Sequence, residues 1–343
     1  MGSENVKPLV SVIMPMYNSV RFVKQAIESL LNQTYKDIEI IAINDGSKDG
    51  CADVVRGIDD DRLIFIDREN HGFINTLNEC IEMAKGKYIA RLDDDDWCYP
   101  TRLEKQVRYM EDHPDTVLVG TLEDEQTGDD IVRVPQTVVN SPRQIKYSLV
   151  FGNYAFAHSS FLMRRDVLMD NNVRYEMFKQ VPDYHMITWL SRFGEIARIQ
   201  ENLVVYRIHP QQSTQVRSAQ MKQGEIDHAR EWFIDSLSVS DDQKTALKKG
   251  ILRELKSKED ICAFDRALAE YGRSCGITDT EDKQCRLFLY RKCMLSQMCT
   301  PALLIARLRS GNNGWMLSLD GIKFIIKCLI KRNPYYLKTE VNI

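Results

Sequence analysis

Along the first third of the chain, short unbroken apolar runs alternate with runs of helical spacing. Leu9-Val-Ser-Val-Ile-Met14 is brief, apolar and β-branched, the pattern of a buried strand. Asn18 or Ser19 then offers a helix N-cap, and Phe22, Val23, Ala26, Ile27, Leu30 and Leu31 follow on one helical face. Further strands are expected at Ile38–Ile43, Leu63–Ile66, Tyr88–Leu92 and Val117–Gly120. Helices are expected at Phe73–Ala84, with Gly86 as C-cap, and at Thr101–Glu111, stopped before Pro114. Strand and helix in alternation with short links predict an α/β fold, its parallel sheet covered on both faces. Ligands of such sheets bind beyond the carboxyl ends of the strands. Pro15–Asn18, Asn44–Ser47 and Asp93–Asp96 each follow a strand directly, so all three should line one crevice. Residues 122–215 are mixed in pattern, and 218–310 turn helical and charged, with a boundary expected near 217.

Composition narrows the field. The 343 residues carry a net charge of -3, which gives no reason to expect a nucleic-acid partner. Nine cysteines (51, 80, 98, 262, 275, 285, 293, 299 and 328) form no C-x-x-C pair or metal-spaced cluster, and read as free thiols in a reducing compartment. Met1-Gly-Ser-Glu4 is neither a signal peptide nor a myristoylation site, and there is no apolar run of about 18 residues. A cytoplasmic chain is the expectation.

Chemistry concentrates in Asp93-Asp94-Asp95-Asp96. Adjacent carboxylates repel, and burying them uncompensated costs several kcal/mol. A divalent cation resolves that cost, and hard oxygen ligands suit Mg2+ or Mn2+. An isolated D-x-D is more often a solvated loop, but this one sits at the tip of an expected central strand. Asn44-Asp45-Gly46-Ser47 reads either as a turn or as a ligand wall in which Asp45 accepts a hydrogen bond and Gly46 lets backbone approach. Pro15-Met-Tyr17-Asn18 would be a third wall.

Taken together these segments resemble the opening of the family 2 glycosyltransferases. The resemblance runs through Val10-Ser-Val-Ile-Met-Pro15-Met-Tyr17-Asn18, Ser29-Leu-Leu-Asn-Gln33, Ile43-Asn-Asp45-Gly-Ser47, Asn70-His-Gly72, Ala84-Lys-Gly86 and Asp93-Asp-Asp95-Asp96-Trp97, over about residues 8–215. It implies a GT-A fold of the bacterial glycan-building type: a Rossmann-like sandwich with a mostly parallel central sheet, plus a helical C-terminal extension. Residues 1–217 would form the catalytic domain (8–121 the donor half, 122–217 the acceptor half), and 218–343 the helical region. It implies donor-nucleotide contacts from Pro15, Tyr17, Asn18, Asp45, Ser47, Asp93 and Asp94, with Asp94 at the variable position. A divalent ion, Mn2+ or Mg2+, would be held by Asp95 and Asp93 with His209, from a segment resembling the family's Y-R-x-H at Tyr206-Arg-Ile-His209. Pro182-Asp183 resembles the family's acidic pair, with proline where an acid is usual, and implies Asp183 as general base. Asp183 would also cap the helix that follows. His158, Asp96 and Trp97 would lie on the acceptor side. The implied reaction is inverting transfer from a nucleoside-diphosphate sugar, UDP- or dTDP-linked, to a glycan or lipid-linked saccharide.

Residues 301–343 hold seven Lys or Arg against two acids. Leu319, Ile322, Ile325, Ile326, Leu329 and Ile330 share a helical face beside Lys323, Lys327 and Lys331, with Trp315 upstream and Tyr335 and Tyr336 downstream. The segment 315–336 fits either a helix on the protein's own core or one lying peripherally on the cytoplasmic face of the inner membrane. Other classes fit less well. No G-x-G-x-x-G or Walker loop follows the first strand, nor the Gly-rich basic loop of a nucleotidyltransferase. An inactive binding subunit of the same fold is the non-enzyme alternative.

Overall fold

The computed structural model describes residues 10–285 except 135–138, 153–154, 177–180, 213–218, 253, 256 and 283. The basic segment 315–336, the boundary near 217 and Cys293, Cys299 and Cys328 lie outside the described residues. In chain order the first elements are β1 (Val10–Met16), α1 (Val23–Leu31), β2 (Ile38–Asp45), α2 (Cys51–Arg56), β3 (Leu63–Arg68), α3 (Phe73–Met83) and β4 (Tyr88–Arg91). Then come β5 (Trp97–Cys98), α4 (Arg102–Asp112), β6 (Thr116–Thr127), β7 (Asp130–Arg133), α5 (Pro142–Ser148), β8 (Leu162–Arg164), α6 (Arg165–Asp170), α7 (Pro182–Leu190) and β9 (Glu195–Arg207). Helices α8 (Ala219–Ser236), α9 (Asp241–Ile251) and α10 (Lys258–Ser274) follow.

The chain forms two compact units, one of Met1–Pro142 with Asn153–Glu225, the other of Arg143–Gly152 with Ile226–Ile343. The first unit holds a nine-stranded sheet ordered β3-β2-β1-β4-β8-β6-β9-β5, with β7 paired to β6. The ladders among β3, β2, β1 and β4 are all parallel. Every residue of β1 is buried, as a strand covered on both faces requires. Val10, Val12, Met14 and Met16 pack with α1 and α4 in one cluster through Val23, Ile27, Leu103 and Met110. Ile13, Ile41 and Ile89 are buried outside that cluster, and α3 lies against β1 and β2. Pro15 costs β1 no ladder bond toward β4. The Ile13 carbonyl accepts from Leu92 N–H, residues two apart face the same neighbour, and the β4 ladder ends at Ile13–Arg91.

Beyond β4 the sheet becomes mixed: β8 is antiparallel to β4 and β6, while β9 runs parallel to β6. The parallel arrangement expected throughout therefore holds for the first four strands. Strand β6 runs on past Gly120, where the sequence pattern places its end, to Thr127. A Cβ on Gly120 would lie 2.4 Å from Phe156 Cγ, so the glycine makes room for that ring. Two local expectations are corrected. Helix α1 begins without a side-chain cap; the Ser19 carbonyl accepts from Phe22 and Val23 N–H, and Asn18 instead takes φ 55. Gly86 is no C-cap, because α3 ends in an extended Ala84 and the Gly86 N–H donates to Ser11 Oγ.

The second unit is helical where described. Helices α9 and α10 each open with a capping box, Ser240 with Gln243 and Ser257 with Asp260. They meet where Gly250 faces the Phe264 ring. Among the described residues, no helix is long and apolar enough to cross a membrane.

Candidate active site

The three strand-end loops converge on a cleft of about 1240 Å3 within the first unit. Pro15, Tyr17, Asn18, Asp45, Asp93, Asp94 and Asp95 line it, together with His158, Asp183 and His209. Convergence follows from register: Met16 pairs with Asn44, so the loops after β1 and β2 leave the sheet side by side.

On the first wall, backbone and short polar side chains interlock. The Asn18 N–H donates to Ser47 Oγ at 2.9 Å, and Asn18 Oδ1 accepts from Lys48 N–H at 2.9 Å. Asn tolerates the left-handed conformation this needs. Ser47 itself does not line the cleft; its hydroxyl also bonds Asn44. Asp45 is 4% exposed and already accepts three bonds, from Arg68, from His71 N–H at 2.8 Å and from Gly72 N–H at 3.0 Å. Burial would raise its pKa, but the His71 N–H, Arg68 and Thr76 outweigh it and hold Asp45 below the usual carboxylate range. Gly46 takes φ +75, and a Cβ there would lie 2.7 Å from Asn70 N.

The four aspartates have four environments. Asp93 is gripped by the fork of Arg91, at 2.7 and 2.5 Å, and accepts Ser159 Oγ–H at 2.8 Å. Burial opposes its charge, yet Arg91 brings its pKa down to about 2. Arg91 is itself fully buried, so each compensates the other. Asp94 accepts the Tyr17 N–H at 2.8 Å, and burial, with Asp95 adjacent, pushes it up to about 8. Asp95 Oδ2 lies 3.0 Å from His209 Nε2, and its carbonyl accepts from Arg207 at 2.5 Å. Asp96 is fully buried, lies 2.5 Å from the same Ser159 Oγ, whose single proton it shares with Asp93, accepts Arg207 N–H at 2.9 Å, and stands well above the carboxylate range through burial and its neighbour Asp95. Asp96 ties the acidic run to β9 and does not line the cleft. Nor does Trp97, whose Nε1–H donates to Gln126 Oε1 at 2.9 Å. The sequence placed both on the acceptor side.

Carboxylate oxygens of Asp93, Asp95 and Asp96 lie within 4.8 Å of one another. Arg91 and Ser159 fill three of the roughly four acceptor positions of Asp93. Both Asp96 oxygens are engaged as well. Asp95 with His209 is thus the most open pair in the group. The carboxylate suits Mn2+ or Mg2+ and the imidazole favours Mn2+ of the two, and their 3.0 Å separation is close to the edge of an octahedron with ligands at about 2.1 Å. The His209 ring is seated on Phe22, with centroids 4.7 Å apart, and the Arg207 guanidinium lies over that same Phe22 ring.

Opposite lies the first turn of α7. Pro182 occupies its start, where a missing N–H costs nothing, which accounts for proline in this place. The N-cap is Val181, so Asp183 sits inside the first turn and does not cap it. Glu123 and Glu125 also line the cleft and were missed in the sequence; Tyr206 lines it too, and the sequence marked it only as the start of the Y-R-x-H segment. Arg91 was missed too, although an arginine inside the apolar stretch Tyr88–Leu92 signals a buried cation in need of an acid, and Asp93 follows two residues on.

Residues 11–171 match the profile of a family described as Glycosyl transferase family 2. An uncharacterized glycosyltransferase of Haemophilus influenzae is 32% identical over 229 residues, 61% of this chain and 68% of that protein. Among solved structures, S. aureus TarS 1-349 in complex with UDP-GlcNAc is similar with a TM-score of 0.57 at 15% identity, over 89% of this chain and 90% of that one. The mannosyltransferase PcManGT from Pyrobaculum calidifontis, in complex with GDP-Man and Mn2+, gives 0.51 at 15% identity, over 98% and 89%. Both likenesses speak for the fold, a GT-A sandwich.

Proposed function

The chain belongs to the family 2 glycosyltransferases, and from that premise we propose that it moves a hexosyl or N-acetylhexosaminyl group from a UDP- or dTDP-linked donor to a glycan or lipid-linked saccharide, with inversion. The observation that carries this reading is the cleft itself: Asp95 with His209 on one side and Asp183 on another, in a single cavity reached by the ends of β1, β2 and β4. That TarS carries UDP-GlcNAc and PcManGT carries GDP-Man with Mn2+ supports a nucleoside-diphosphate sugar as donor.

In this reading Tyr17, Asn18 and Asp45 border the nucleoside. Asp95 and His209, with Asp93 beside them, would hold Mn2+ or Mg2+, which when bound neutralises charge on the departing diphosphate. Asp183 takes the proton from the acceptor hydroxyl as that oxygen attacks the anomeric carbon from the face opposite the leaving group. Its charge sits at the positive end of α7. The sequence pattern of 315–336 adds contact with an anionic membrane surface, where a lipid-linked acceptor would be presented.

A thermal-shift screen of nucleoside-diphosphate sugars with and without Mn2+ tests the donor assignment. A true donor at ~100 times its Kd adds about 2.7 kcal/mol of stability. The absence of a shift with every donor, metal present, would contradict the reading.

A further inference from the structure

His158 reaches the cleft from the short turn His158–Ser160 just before β8. Its Nε2 lies 2.7 Å from the hydroxyl of Tyr175, a residue 1% exposed. Tyr175 is anchored by its backbone, which donates to Asn78 Oδ1 at 2.9 Å and accepts from Asn78 Nδ2 at 2.7 Å. The imidazole is further held against the Phe161 ring, with centroids 4.9 Å apart. Burial pushes the Tyr175 phenol well above its ordinary range, so it keeps its proton. Burial, with the Arg91 charge adding, holds His158 well below its ordinary pKa, so the ring is neutral.

A neutral imidazole has one N–H and one acceptor nitrogen. The Tyr175 hydroxyl forms no other hydrogen bond among the described residues, so its proton is aimed at Nε2. The imidazole proton then sits on Nδ1, the ring nitrogen left to the cleft. The ring stands between the two chemical walls: Ser159, next in sequence, bonds both Asp93 and Asp96, and Tyr175 is close enough to Asp93 and Asp183 to feel both charges.

We infer that Tyr175 is a positioning residue that fixes His158 as its Nδ1–H tautomer, and that His158 offers this N–H to a hydroxyl oxygen of the sugar being transferred. The identity of the ligand rests on the glycosyltransfer reading above; the tautomer does not. Free histidine side chains prefer the Nε2–H form, so an Nδ1–H ring is a distinctive signature of such a partner.

Two measurements test this. Long-range 1H–15N spectra of histidine-labelled full-length protein, assigned with His158→Asn, should show His158 as an Nδ1–H ring beside that of His113, whose Nδ1 donates to the Tyr109 carbonyl at 2.9 Å. In Tyr175→Phe the His158 signal should be lost to the Nε2–H form or to a mixture. Asparagine places its amide nitrogen near the position of Nδ1, and glutamine near that of Nε2. His158→Asn should stay within about tenfold of wild type in kcat/KM, and His158→Gln should fall by roughly a hundredfold. Tyr175→Phe should lower kcat by about tenfold with nucleotide affinity unchanged. An Nε2–H ring at His158 in the wild type, an unchanged spectrum in Tyr175→Phe, or His158→Gln outperforming His158→Asn would each overturn the inference. A protein that turns over no nucleotide sugar would count against the glycosyltransfer reading, and the tautomer spectrum would still decide the role of Tyr175.

Discussion

Four identical residues in a row acquire four roles, and none of the difference is written in their own letters. Arg91 and Ser159 fix Asp93, the Tyr17 N–H engages Asp94, His209 meets Asp95, and Ser159 with the Arg207 N–H buries Asp96. Ser159, Tyr17, His209 and Arg207 all lie more than sixty positions away in sequence, so their choice among the four carboxylates is made only by the sheet. Resemblance could single out Asp93, Asp95 and His209, but it could not show that Asp96 turns away from the cleft. Asp95→Ala should abolish Mn2+-dependent stabilisation by donor while leaving the melting temperature without ligand close to wild type. An undiminished Mn2+ effect in that variant would move the metal elsewhere. Gly46 is the other residue whose letter carries a fixed requirement. At φ +75, with Asn70 N 2.7 Å from where a Cβ would be, Gly46→Ala should cost about 1–3 kcal/mol in denaturant unfolding. A neutral substitution would show that this turn can relax.

At the level of elements, the strands β1 to β4 were legible because each carries a continuous apolar run, buried in β1, β2 and β4 and half-buried in the edge strand β3, and periodicity finds such runs within a residue or two. The acceptor half was not. Strand β6 carries Glu123 and Glu125 into the cleft, so its second half reads as polar loop, and β9 pairs with it across about eighty residues. Gly120 could be read as a strand end only because Phe156, which fills the space beside it, is far away in sequence. Gly120→Ala should therefore destabilise by about 1–3 kcal/mol through overpacking, read by chemical unfolding. Helix α7, which presents Asp183, has an acid limit of its own. His185 on that helix is 1% exposed, and burial lowers its pKa from 6.5 to about 4. Its folded pKa lies below the unfolded one, so the unfolded state binds more protons between those values, and stability present above pH 6.5 is lost as pH falls toward 4. Unfolding measured across that window should show a shallower decline in His185→Leu than in wild type, by a few kcal/mol at its acid end. Parallel curves would remove His185 as the cause.

The whole molecule has a sheet-bearing unit that holds the cleft and a unit that is helical where described. The sequence turns from alternating strands to charged helical text near 217, and it carries no signal for the assignment of Arg143–Gly152 to the second unit, since that stretch sits in the middle of the first. The basic segment of the C-terminal region gives a prediction at this scale. Full-length protein should float with liposomes containing anionic lipid, and deletion of 311–343 should abolish flotation; equal flotation of the two would remove that segment as the membrane contact. The proposed function rests on a division of labour inside one cleft, with donor and metal assigned to one side and the proton acceptor to the other. Asp183→Ala tests it most directly, with binding of donor nucleotide in the presence of Mn2+ and sugar transfer measured on the same preparation. Wild-type nucleotide affinity with transfer reduced by several orders of magnitude is the predicted result. Transfer at the wild-type rate would contradict it.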